Sequence, residues 1–193
     1  MAIRSFGSNT WHWRIIMTVT VVGSSVMLNQ IKNFFRNPFE KKPVSQVAYS
    51  TLTVLPGLSL LERITAGRYS WTNQDVTKKR FLHDQTTIGE WEWELVGYDR
   101  NISSEAVKVA LEIDGWIAAK WEHTLAFGAT FPEAQRKNPI VALGSACRVS
   151  GHRFVLLLWD GDGKRRVGLT RWDGRWRPNY RFLRVRKVSS SIA

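Results

Sequence analysis

One cysteine, Cys147, occurs in 193 residues. A single thiol excludes an internal disulfide and any zinc site built from cysteine pairs. Histidine is almost as scarce. His12, His83, His123 and His152 are the only four, and no two stand at an HxH or HExxH spacing. His83-Asp84 and Glu122-His123 are neighbours in sequence, which does not bring their side chains together, so each is expected to be a surface or capped histidine. GxSxG, phosphate-cradling glycine loops and dinucleotide fingerprints are missing. These absences leave no catalytic residue, no metal and no cofactor to assign, and they argue against an enzyme.

Acidic residues are missing from the ends of the chain. Residues 1–43 carry six Lys/Arg and one acid, and residues 151–193 carry eleven Lys/Arg and three acids. Residues 44–150 are balanced, with eleven Lys/Arg against twelve acids. The formal net charge of +12 therefore sits at both ends, which suits nucleic acid, an anionic lipid surface or an acidic protein. What the chain has in excess is tryptophan, ten in all. That number predicts a ring-rich core with some rings left as contact surface. The 44% hydrophobic and 23% charged fractions exclude a wholly disordered chain.

No run is apolar enough to be a clear membrane span. IIMTVTVVGSSVMLNQI, residues 15–31, is uncharged but holds Thr18, Thr20, Ser24, Ser25, Asn29 and Gln30. As a helix it would reach about 25 Å, short of a roughly 30 Å hydrocarbon core. Two readings stand for the basic extension, residues 1–43. One is a strand over IIMTVTVV followed by an amphipathic helix ending at Asn37-Pro38. The other is a membrane-directed segment through residues 15–35. EKKPVSQ, residues 40–46, reads as a linker into an α+β domain over 44–188, and 189–193 as a flexible tail.

LSLLERITAG, residues 58–67, predicts a short helix capped by Ser59 with Glu62 in its first turn. GRYSWTNQDV predicts a loop pinned by Tyr69 and Trp71. EWEWELVG, residues 90–97, alternates as a strand does: Trp91, Trp93 and Leu95 face one way and Glu90, Glu92 and Glu94 the other. The acidic face asks for a basic neighbour strand. Residues 103–128 predict one long helix, with Ser103 or Ser104 as its cap and Gly115 as an unfavourable interior residue. TFPEAQRKNP, residues 130–139, predicts a turn region.

From residue 139 the period becomes two. PIVALGSACRV, HRFVLLLW, RRVGLTRW and NYRFLRVRKV are separated by Ser-Gly and Asp-Gly turns, which predicts an antiparallel meander. Cys147 falls in the first of these strands, with Val141, Leu143 and Val149 on its face, as a buried structural thiol. Asp160-Gly161-Asp162-Gly163 starts like a calcium loop but lacks the remaining ligands, so it reads as a hairpin turn. The expected fold is a four- to five-stranded antiparallel sheet, as a small barrel or open, packed with the one long helix.

Basic and aromatic residues interleave in this last stretch. Arg165, Arg166, Arg171, Arg175, Arg177, Arg181, Arg184, Arg186 and Lys187 surround Trp172, Trp176 and Tyr180. Guanidinium forks match phosphate oxygens, and exposed rings stack on unpaired bases. The expected function is a non-enzymatic binding module for nucleic acid, through phosphate contacts and stacking. The alternative is a structural or interaction protein whose basic ends hold an acidic protein or anionic membrane. A solvated, arginine-rich sheet face would give the same pattern.

LAFGATFPEAQRKNPIVALGS, residues 125–145, and YRFLRVRK, residues 180–187, resemble stretches of small bacterial proteins with no assigned function. WELVGYD and RYSWTNQDV are similar to a lesser degree, so the resemblance spans roughly residues 58–187. It implies a cytoplasmic bacterial accessory protein and carries no site residue.

Overall fold

Alternation of apolar and polar residues, interrupted by short capped helices, builds most of the molecule. The computed structural model describes residues 44–188, with the backbone alone for 44–50. The expectations for residues 1–43 and 189–193 lie outside the described residues. In chain order the elements are β1 (Val44–Val54), α1 (Leu60–Ala66), β2 (Trp71–Thr72), β3 (Gly89–Gly97), β4 (Ile102–Ser103) and α2 (Ser104–Leu111). They continue with β5 (Ile117–Ala118), α3 (Trp121–Thr130), α4 (Ala134–Lys137), β6 (Ile140–Val149), β7 (His152–Gly161), β8 (Lys164–Arg171), β9 (Arg175–Trp176) and β10 (Arg181–Lys187).

Eight strands form one mostly antiparallel sheet in the order β1-β3-β10-β6-β7-β8-β2, with β5 pairing beside β10. It is open, with β1 and β2 at its edges, and not a barrel. The predicted meander is half right. β6, β7 and β8 follow one another through two-residue turns, Ser150-Gly151 and Asp162-Gly163, in which both residues have positive φ. That is the type I′ geometry that suits the twist of a hairpin. β10 does not continue the meander. Residues 172–180 cross back over the sheet, and β10 inserts between β3 and β6, antiparallel to the first and parallel to the second. The linker reading of 44–46 is also corrected, because β1 starts at Val44.

The one long helix is replaced by two helices. Its predicted span, 103–128, breaks after Leu111, turns through Asp114 and Gly115 at φ +55° and +80°, forms β5 and restarts as α3. The two helices pack on opposite sides of the sheet. Val107 and Leu111 of α2 pack with Val96, Val141, Val155, Trp172, Trp176 and Phe182. Trp121, Leu125 and Phe127 of α3 pack with Leu52, Trp91, Trp93, Leu156, Leu158 and Val185. The sheet is thus the middle of three layers: α1 and α3 on the inner face, α2 with the β4–β9 ribbon on the outer face. α1 is the helix expected from Ser59 and Glu62. Their side chains form a reciprocal capping box, with the Ser59 amide donating to Glu62 Oε2 at 2.7 Å.

β6 changes face midway. Its register against β7 slips between Ala142 and Cys147. Val141 and Leu143 therefore face the outer layer, while Cys147 and Val149 face the inner one. The chain bulges here because the Gly144 amide donates to Ala119 O at 2.9 Å, joining β6 to the link before α3. Cys147 is buried as expected, on the face opposite to Val141 and Leu143. Among the described residues no helix is long and apolar enough to cross a membrane.

Candidate polyanion interface

The basic-aromatic stretch does not form one stripe. Strand parity and the crossover divide it into three groups with different chemistry.

The first group is internal. Arg165 lies on the inner face of β8 at 8% exposure. Its Nη1 donates to Gly67 O at 2.6 Å, and its Nη2 donates to Gly128 O and to Gln135 Oε1. Trp172 and Trp176 are buried on the outer face, at 3% and 4% exposure. Trp172 Nε1 donates to Glu105, and Trp176 Nε1 donates to Ser104 Oγ at 2.8 Å. Their place among basic residues suggested open rings. α2 covers them instead, because the crossover lays both tryptophans beneath it. Arg165 and Trp172 are therefore removed from the interface, and Trp176 reaches it only as part of a cavity wall.

The second group is already paired. The register sets Arg184 opposite Glu94 and Arg186 opposite Glu92. Arg184 donates to Glu94 Oε2 from Nε at 2.8 Å and from Nη2, and Arg186 donates to Glu92 Oε2 from Nε at 3.1 Å and from Nη2. Both guanidinium groups lie over the Trp116 ring, 4.6 and 4.7 Å from its centroid. The basic neighbour that the acidic face of β3 called for is β10. Arg166 pairs with Asp162 at 3.4 Å. Arg181 donates to Pro178 O and Tyr180 O, each at 2.9 Å. Lys187 donates to Ile88 O at 2.6 Å and lies over Trp91.

The third group is open. Arg171, Arg175 and Arg177 are exposed, and their side chains make no hydrogen bond or ion pair among the described residues. Together with Thr170, Trp176 and Tyr180 they line an open cavity of about 780 Å³ between the outer face of β8 and the crossover. Exposed Arg148 and Arg153, paired across the β6–β7 hairpin, lie at the same end of the sheet. Trp172 N bonds Arg153 O at 2.9 Å, which ties that hairpin to the crossover. The sequence reading missed these two arginines. Counting two residues back and two forward from the Ser150-Gly151 turn would have paired them.

A separate polar cluster lies under α1. Glu122 and His123 begin α3 and are fully buried. Glu122 Oε1 accepts the Asp84 amide at 2.8 Å and stands 3.6 Å from His83 Nδ1. The two adjacent sequence pairs therefore do meet, through the loop before β3. Burial raises the Glu122 pKa. Asp84 is held well below the usual carboxylate range by hydrogen bonds from Lys120 and Thr86. His123 accepts the Lys120 amide at Nδ1 at 3.1 Å and packs edge-on against Trp91, 4.5 Å between centroids. It is capped as expected but not at the surface, and burial, reinforced by Lys120, pushes its pKa down to about 3.

That burial has a sign. An unfolded histidine titrates near 6.5, so below that pH protons favour the unfolded chain. The contribution of neutral His123 is complete above pH 6.5 and is lost progressively towards pH 3. Glu122, raised by burial, opposes this, since its contribution is greatest at low pH. A His123→Gln variant isolates the histidine. Urea denaturation at pH 7, 6, 5 and 4 is expected to show the gap between wild type and variant changing by up to about 1.4 kcal/mol per pH unit below 6.5. A gap independent of pH would show that His123 is not held neutral.

Among the described residues no group of three His, Cys, Asp or Glu side chains is placed to hold a metal ion. No family model, no curated protein and no solved structure matches the chain.

Proposed function

We propose that this protein is a nucleic-acid-binding module that grips phosphates at the cavity lined by Arg171, Arg175 and Arg177. The observation that supports this is that three arginines without side-chain partners line one opening. The other arginines of the stretch are committed to carboxylates or carbonyls. Each free fork can take two phosphate oxygens, and a guanidinium is more weakly hydrated than an ammonium. Arg148 and Arg153 extend the positive surface along the sheet end. Phosphate contact of this kind positions a strand without reading its bases.

The test is fluorescence anisotropy with labelled oligonucleotides from low to high salt. Affinity is expected to fall with salt, at a slope of about −0.7 in log K per phosphate on single strands and about −0.9 on duplex. Replacing Arg171, Arg175 and Arg177 together by Gln is expected to weaken all sequences alike and to flatten the single-strand slope by about 2. Replacing Arg184 and Arg186 by Gln is expected to leave the slope unchanged. No binding at low salt, or an unchanged slope in the triple variant, would overturn the reading.

A further inference from the structure

The outer face of the β7–β8–β2 edge carries two tryptophans that no core element covers. The registers place Trp159 opposite Arg166 and Arg166 opposite Trp71, so the three side chains stand in one row across three strands. The rings of Trp71 and Trp159 meet edge to face, 5.6 Å between centroids. Trp71 is 46% exposed and Trp159 is half-buried. Gly168 makes room for them. A Cβ there would stand 2.7 Å from Trp159 and 3.3 Å from Trp71, so the six-membered ends of both rings converge above Gly168.

This platform shares a face with the arginine cavity. Arg166, Gly168 and Thr170 alternate along β8 on the outer side, and Thr170 lines the cavity. From the Trp row to Thr170 is four residues, about 13 Å along the strand. One surface thus carries an aromatic pair at one end and the arginine-lined cavity at the other.

We propose that the ligand is single-stranded nucleic acid, with a base stacked on Trp71 against Trp159 and the following phosphates held by Arg171, Arg175 and Arg177. This rests on the phosphate-binding reading above. Charge complementarity selects the occupant: among the described residues the only carboxylate paired in the Trp row is Asp162, already held by Arg166, and the cavity beyond is lined by arginines. An exposed indole face accepts any base, so recognition is tolerant of sequence. A duplex keeps its bases stacked inside and cannot use the rings.

The experiment uses the full chain with a labelled oligodeoxythymidine strand and a duplex of the same length. Trp71→Ala is expected to weaken the single strand by about 5- to 100-fold and leave the duplex little changed. Trp71→Phe should recover most of the loss, because stacking needs a ring rather than an indole. Trp71 is open enough that thermal melting of both variants should match wild type. An equal loss on both probes, or no loss on the single strand while the triple arginine variant still weakens it, would overturn the stacking inference and leave the phosphate grip standing. Failure of both probes to bind at low salt would remove both.

Discussion

Arg165→Met is expected to destabilise the protein by about 3–5 kcal/mol and to leave the affinity of the folded fraction for oligonucleotides unchanged. The arginine is the hub of the inner layer at its β2 edge. Its three donated bonds reach Gly67 after α1, Gly128 in α3 and Gln135 in α4. Gln135 in turn donates to the Trp159 carbonyl at 2.8 Å and the Arg166 carbonyl at 3.3 Å, so three helices are tied to β7 and β8 through one guanidinium. The Tyr69 ring lies 4.8 Å beneath the charge. Met fills much of the volume but donates nothing, and each buried acceptor left without a partner costs about 1–3 kcal/mol. Urea denaturation measures the loss, and anisotropy at a temperature where the variant is folded measures the affinity. A stable variant with weakened binding would return Arg165 to the interface.

Trp176→Ala is expected to cost about 3–5 kcal/mol, as large aromatic truncations in a core do. The ring packs edge-on against Tyr180 at 5.2 Å and Phe182 at 5.6 Å. Its Nε1 completes a relay in which Ser104 Oγ donates onward to the Trp172 carbonyl at 2.6 Å. Removing it opens a void between α2 and the sheet and strips the Ser104 hydroxyl of a donor. Saturating oligonucleotide should raise the stability of wild type and variant by the same increment, because the buried ring touches no base. Trp176→Phe should restore part of the packing but not the hydrogen bond. An unequal increment would mean that the ring opens to the ligand.

Local pattern was legible wherever one element explained itself. Ser59 and Glu62 announced α1, the alternation of 90–97 announced β3, and the two dipeptide turns announced the β6–β7–β8 hairpins. Even the charge sign of the strand facing Glu92 and Glu94 could be given. What stayed hidden depended on distant residues. The 103–128 stretch has helical spacing on both sides of Gly115, and only the presence of β10 and β6 beside Ile117–Ala118 makes two residues extend into β5. Cys147 changed sides because a bulge at Gly144 is set by a contact with Ala119. The same limit governed the site. Arg165, Trp172 and Trp176 have the composition of a contact surface, yet each is buried by a helix far away in sequence. Trp71 looked like a loop pin, and became part of an open platform because β2 docks in parallel on β8 at the sheet edge.

The place of β10 bears on how the chain is assembled in time. During synthesis β1 and β3 emerge first, and β6, β7 and β8 follow as a consecutive set of hairpins. Neither group can join the other until residues 181–187 arrive, some ninety residues after β3. Until then β3 and β6 each present an unpaired edge, the kind of edge that recruits strands from other chains. The nascent protein therefore has a vulnerable interval that ends only when β10 is made. Cells making it slowly, or releasing fragments that stop short of Arg181, would accumulate two half-sheets rather than one.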